Sequence, residues 1–151
     1  MSLAVLDSGV IAEYVNVAGE FNAQSRAIFE SIDRGEFRAI VVPATISELY
    51  YVLRRMYEGL RMREADRISR LFCEYIYYHP GVEVVEMSLG LLVEAGRIKH
   101  AYRLALTDCY VLAASKLYGC RVVFRHREAE MRAVLDSLCK EFQIVFLEDY
   151  V

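Results

Sequence analysis

Three acidic residues are the ones in this chain whose type and placing could do chemistry. Asp7 closes the apolar run Leu3 to Leu6 and is followed by Ser8-Gly9; Glu48 sits in PATISELYYVL; Asp108 lies near the front of LALTDCYVLAASKLYGCRVVF. Each has an ordinary role open to it. With Thr107 as the expected N-cap, Asp108 falls in a first helical turn, where a carboxylate gains ~0.3–1 kcal/mol from the macrodipole. Thr45 to Glu48 matches the capping box T-x-x-E, yet Glu48 also lies well away from the Leu49/Leu53 stripe on a helical wheel. A cap and a cleft-facing ligand both fit that spacing.

The balance changes if the three acids converge. Two unit charges ~4 Å apart repel by about 4 kcal/mol at an effective dielectric of 20. Such a group must either take up protons or hold a cation. Oxygen-only donors, with no histidine or thiolate among them, select a hard ion, Mg²⁺ or Mn²⁺. Such an ion binds phosphate and activates water, so the implied reaction is phosphodiester hydrolysis.

The elements that must position these acids follow from periodicity. Short apolar strands are expected at Leu3 to Leu6, Phe37 to Val42, Val82 to Val85 and Cys120 to Phe124, with an edge strand at Ile144 to Leu147. Between them the spacing predicts a brief helix through Val15, then helices over Asn22 to Asp33, from Thr45, over Arg61 to Tyr78, over Ser88 to Tyr102, and over Glu128 to Phe142. The helix containing Asp108 is apolar nearly all round, hence buried on more than one side, and Gly119 ends it. Strands alternating with helices predict a three-layer α/β/α domain, with a mainly parallel sheet of about five strands. In such sheets ligands collect at the carboxyl ends of the strands. Asp7, Glu48 and Asp108 are then delivered to one rim by different elements.

Composition narrows the class. A chain of 151 residues, 56% hydrophobic and with two prolines, is expected to be one domain (1–151) with a sizeable core. No apolar run approaches the ~18 residues of a membrane span, and Asp7 comes too early for a signal peptide, which points to the cytoplasm. Cys73, Cys109, Cys120 and Cys139 are widely spaced in apolar or amphipathic contexts and are expected as buried free thiols; the three histidines lack a zinc spacing. No Walker A or dinucleotide-binding glycine pattern is present. The net charge of −3 does not mark a nucleic-acid binder, but Arg97, Lys99 and Arg103, then Arg121, Arg125 and Arg127, form basic stretches able to meet phosphate. Each could equally be a solvated face.

Taken together, VLDSGV, PATISELYYVL and LTDCYVLAASKLYGCRVVF resemble the PIN-domain family of VapC-type toxin ribonucleases over almost the full length. The resemblance implies that Asp7, Glu48 and Asp108 ligate Mg²⁺ or Mn²⁺, that Ser8 matches the Ser/Thr beside the first acid, and that the substrate is single-stranded RNA. Arg97, Lys99, Arg103, Arg125 and Arg127 become candidate phosphate contacts. A small antitoxin partner is implied, and a homodimer, with the Arg54–Arg70 helical hairpin as the contact for either. The departure is at the turn after the last core strand. There the family commonly supplies a fourth acid, whereas this chain reads Phe124-Arg125-His126-Arg127-Glu128, leaving Glu128 or Glu130 to reach back. The alternative is a catalytically weakened PIN-like module that binds RNA or a protein.

Overall fold

Alternation along short strands sets the layers. A computed structural model describes residues 2–150. The chain runs β1 (Ser2–Leu6), α1 (Ser8–Val15), α2 (Asn22–Asp33), β2 (Phe37–Val41), α3 (Pro43–Gly59), α4 (Ala65–Tyr77), β3 (Val82–Val84), α5 (Leu89–Tyr102), α6 (Leu106–Leu117), β4 (Arg121–Phe124), α7 (Ala129–Arg132), α8 (Leu135–Glu141) and β5 (Ile144–Phe146). A 3₁₀ turn follows at Leu147–Tyr150. Val5, Ile40, Val122 and Phe124 point to one face of the sheet, under α5, α6 and the α7–α8 segment. Ala4, Leu6, Ala39, Val41 and Val123 point to the other, under α1 to α4.

All four strand pairings are parallel, in the order β3-β2-β1-β4-β5. The register sets Val5 beside Ile40 on one side and beside Val122 on the other. From central β1 the chain builds outward through β2 and β3, then crosses to β4 and β5. The strand order therefore reverses between β1 and β4, and a crevice opens there at their carboxyl ends. Asp7 follows β1 and Arg125 follows β4, so both stand at the switch point.

Helix α6 is the buried element that the sequence predicts: of the seven positions from Cys109 to Ser115 all but Tyr110 are buried, and Gly119 ends it at φ +61°. Several boundaries differ. Ala105, not Thr107, is the N-cap of α6, because the link from α5 is only Arg103 to Ala105 and Arg103 turns the chain in the left-handed region. Helix α3 begins at Pro43, whose fixed φ suits a first helical position, so Thr45 lies inside the helix and is buried. The capping-box role for Glu48 is thereby removed. The last predicted helix is broken at Ala133–Val134 into α7 and α8. The four cysteines are free, but Cys139 is exposed rather than buried. Helices α3 and α4 form the expected hairpin, tied by Tyr50 and Arg54 to Asp66. Among the described residues no helix is long and apolar enough to cross a membrane.

Candidate active site

The end of β1 fixes the first acid. The Asp7 backbone N–H donates to the Val123 carbonyl at 3.1 Å, which pins the residue to β4. Its side chain caps α1, with Oδ2 accepting from the Gly9 N–H at 3.4 Å. The other oxygen, Oδ1, is buried and has no partner. Ser8, buried in the first turn of α1, donates its hydroxyl to Glu48 Oε1 on α3. Asp108 arrives from the first turn of α6, and Glu128 stands exposed as the N-cap residue of α7. All four acids line one cavity of about 420 Å³, walled also by Glu13, Tyr51, Arg125 and His126.

Burial and mutual repulsion act in the same direction on the two aspartates. Burial, then the Glu48 charge, push Asp7 up to about 7, against the pull of the Ser8 and Gly9 N–H groups. Burial, then Asp7, Glu128 and Glu48, push Asp108 up to about 8. These carboxyls are therefore partly protonated near neutral pH unless a cation takes the protons' place. Among the described residues no three acidic, His or Cys side chains are drawn together closely enough to enclose an ion. The donor set still suits a hard divalent cation. Every donor is a carboxylate, Asp7 Oδ1 lacks any other partner, and Mg²⁺ takes only one or two carboxylates while keeping water on its remaining positions.

The basic residues divide. Arg125 and His126 line the cavity, His126 standing where a fourth acid was sought. Arg97, Lys99, Arg103 and Arg127, grouped with Arg125 as phosphate contacts from linear charge, are not brought to the cavity. Arg97 is bound to Glu94 at 2.7 Å and to Glu141. Lys99 Nζ donates to the Leu104 carbonyl at 2.6 Å, and Arg103 ends α5. Arg127 bridges Glu148 and Asp149, each at 2.8 Å, and lies over the Phe146 ring. The buried Glu13 and the exposed Tyr51 are among the lining residues that the sequence did not single out. Glu13 had a faint signal, as a charged residue inside the otherwise apolar run from Val10 to Val15.

Fold and site together define an α/β domain that gathers carboxylates at the switch point of an all-parallel five-stranded sheet. The chain belongs to the PIN-domain family, whose model matches residues 4–134. Solved structures share the fold at low identity. A toxin–antitoxin complex from Klebsiella pneumoniae has a chain with 11% identity and a TM-score of 0.60, the match covering 95% of this chain and 97% of that one. VapBC2 from Rickettsia felis, bound to a DNA fragment from its promoter, matches at 7% identity and a TM-score of 0.63, over 95% and 98%. Mycobacterium tuberculosis VapC20, a sarcin–ricin loop cleaving toxin, matches at 14% and 0.65, over 87% and 95%. Comparison with curated proteins finds no match.

Proposed function

We propose that this chain is a Mg²⁺- or Mn²⁺-dependent endoribonuclease that hydrolyses phosphodiester bonds in single-stranded RNA, and that it is the toxin of a toxin–antitoxin pair. The observation that carries this reading is the convergence of Asp7, Glu48, Asp108 and Glu128 on one cavity, with Asp7 Oδ1 buried and unpaired. Asp7 and Asp108 would hold the ion, with Glu48 as third ligand or orienter of water. When bound, a divalent ion supplies Lewis-acid charge at a phosphoryl oxygen and lowers the pKa of a water. Ser8 fixes the Glu48 carboxylate through its hydroxyl. Glu128 adds acidic charge at the lip. Arg125 meets phosphate, and the exposed Tyr51 ring at the rim offers a face on which an unpaired base stacks.

A toxin of this kind has a small antitoxin that occludes the site. The exposed Tyr51, Leu60 and Leu71 on the α3–α4 hairpin suit such a partner, and the same hairpin suits a homodimer. Light scattering on a size-exclusion column tests the dimer, and a monomer alone removes it. For the nuclease, cleavage of labelled single-stranded RNA should require Mg²⁺ or Mn²⁺ and disappear in Asp7→Asn; equal cleavage by that variant rejects the assignment. One observation favours a second reading, a PIN-like RNA- or protein-binding module of weak activity: the turn after β4 puts the basic Arg125 and His126 in the cavity wall ahead of its one lining acid, the exposed Glu128. It requires RNA retention without cleavage under either ion.

A further inference from the structure

Metal ligation by the rim acids does not account for Glu13. This residue lies on α1, in the cavity wall, with its side chain 1% exposed. Its Oε1 has no partner, and Oε2 faces Arg125 Nη1 at 3.5 Å. The loop after α1 has closed over the carboxylate: a Cβ at Gly19 would stand 1.6 Å from Glu13 Oε1, so only glycine fits there. A carboxylate buried against one guanidinium is costly, and mutually neutral apolar residues would serve packing better.

Arg125, though 42% exposed, is contacted at several points along its side chain. Its Cβ and Cδ lie 3.3 and 3.8 Å from where a Gly9 Cβ would be, a point itself 3.6 Å from Asp7 Oδ2. The side chain therefore crosses the first turn of α1 beside Asp7, in room that Gly9 leaves. Its Nε donates to His126 Nδ1 at 3.1 Å, and its carbonyl accepts from the Glu148 N–H at 3.3 Å. With Nε on His126 and Nη1 on Glu13, the remaining Nη2 has no protein partner among the described residues.

We propose that Glu13 is a positioning residue that holds Arg125 as a fixed cation beside Asp7, presenting Nη2 to a non-bridging oxygen of the RNA phosphate at the site. The chain thereby supplies positive charge to the rim from a side chain in the turn after β4. A guanidinium already engaged at Nε and Nη1 loses less freedom when phosphate arrives, and its planar fork suits phosphate oxygens. The inference rests on the RNA-directed reading of the cavity, but it concerns binding and is separable from cleavage.

The test is binding of a fluorescent single-stranded RNA oligonucleotide across a salt series, in Ca²⁺ and in EDTA, by wild type, Glu13→Gln, Arg125→Ala, Arg125→Lys and the Glu13→Gln/Arg125→Ala double variant. Arg125→Ala is expected to weaken binding about tenfold and to lower the salt slope by about one. Glu13→Gln is expected to weaken it several-fold, and to have no further effect once Arg125 is alanine. Additive losses in the double variant, wild-type binding by Glu13→Gln, or no RNA binding by the wild type in either condition overturns the proposal. If Glu13→Gln fails to fold by circular dichroism, Arg125→Lys decides. Binding closer to Arg125→Ala supports a fixed guanidinium, and binding equal to wild type overturns it. Cleavage assayed in parallel with Mn²⁺ separates the two ideas. An inactive wild type with this binding pattern removes the nuclease reading alone, whereas an active enzyme indifferent to Glu13→Gln removes this one alone.

Discussion

Two clusters of acids in this molecule are treated in opposite ways. Between α5, α6 and α8, Glu94 meets Arg97 at 2.7 Å and Lys116 at 3.2 Å, Glu141 meets Lys116 at 3.2 Å and also Arg97, and Tyr102 donates to Glu141. The Arg97 bond holds Glu94 below its usual range. Burial pushes Glu141 up, but the bonds from Tyr102, Lys116 and Arg97 outweigh it and the net direction is down. At the rim, Asp7 and Asp108 have no such partners and are pushed up to about 7 and about 8. The one arginine that reaches the cavity is turned onto Glu13 and His126. Where acids serve the fold, the chain supplies its own cations. Where they converge on the cavity no side-chain cation is paired with them, and their repulsion is relieved by bound protons or by a cation from outside.

Breaking the rim should cost activity while helping the metal-free fold. Asp7→Asn is expected to lower metal-dependent RNA cleavage by at least ~100-fold, since loss of a direct ligand should exceed the 10–100-fold cost of losing an outer partner. Asparagine still caps a helix, and it removes a buried charge. The metal-free variant at pH 8 should therefore be more stable than wild type by roughly 1–3 kcal/mol, read by urea denaturation.

The two clusters should also respond to pH with opposite sign. For Asp7 and Asp108 the folded-state pKa lies above the ordinary 3.8, so the folded protein binds protons more tightly than the unfolded chain. Their ionisation destabilises the metal-free fold progressively as pH rises from about 4 to about 8. A divalent ion displaces those protons, so its affinity should rise about tenfold per pH unit per proton released between pH 6 and 8, measured by calorimetry. Glu94 and Glu141, held low, contribute stability that is present above their ordinary 4.5 and lost as pH falls below it.

Smaller effects sharpen the contrast. Ser8→Ala frees Glu48 without removing an acid, and should lower cleavage about tenfold, at the modest end for loss of an orienting partner. Glu141→Gln should leave cleavage unchanged and cost only ~0.5–1 kcal/mol of stability, because Arg97 and Lys116 are partly exposed. A cleavage defect in Glu141→Gln would contradict the division between structural and functional acids.

Much of this is legible in the sequence. Asp7 ends an apolar run too short for anything but a strand, and α6 is apolar around most of its circumference, so the rim and the helix that supplies Asp108 follow from periodicity. The role of Glu48 was not legible, because Ser8, forty residues away, holds it, and Pro43 rather than Thr45 starts its helix. Nor were the fates of Arg97 and Arg127. A run of basic residues does not reveal that Glu141, Glu148 and Asp149 arrive from the far end of the chain to neutralise it. Glu13 was hidden for the same reason, since its partner Arg125 comes from the turn after β4.

The most direct test of the rim is a Mn²⁺ titration of the wild type and Asp7→Asn at pH 8, followed by calorimetry and by thermal unfolding. Saturable binding that raises the wild-type melting temperature, and that is lost in Asp7→Asn, is the expected result. A wild type that neither binds nor is stabilised, or a variant that binds equally well, would contradict the claim that these acids await an external cation.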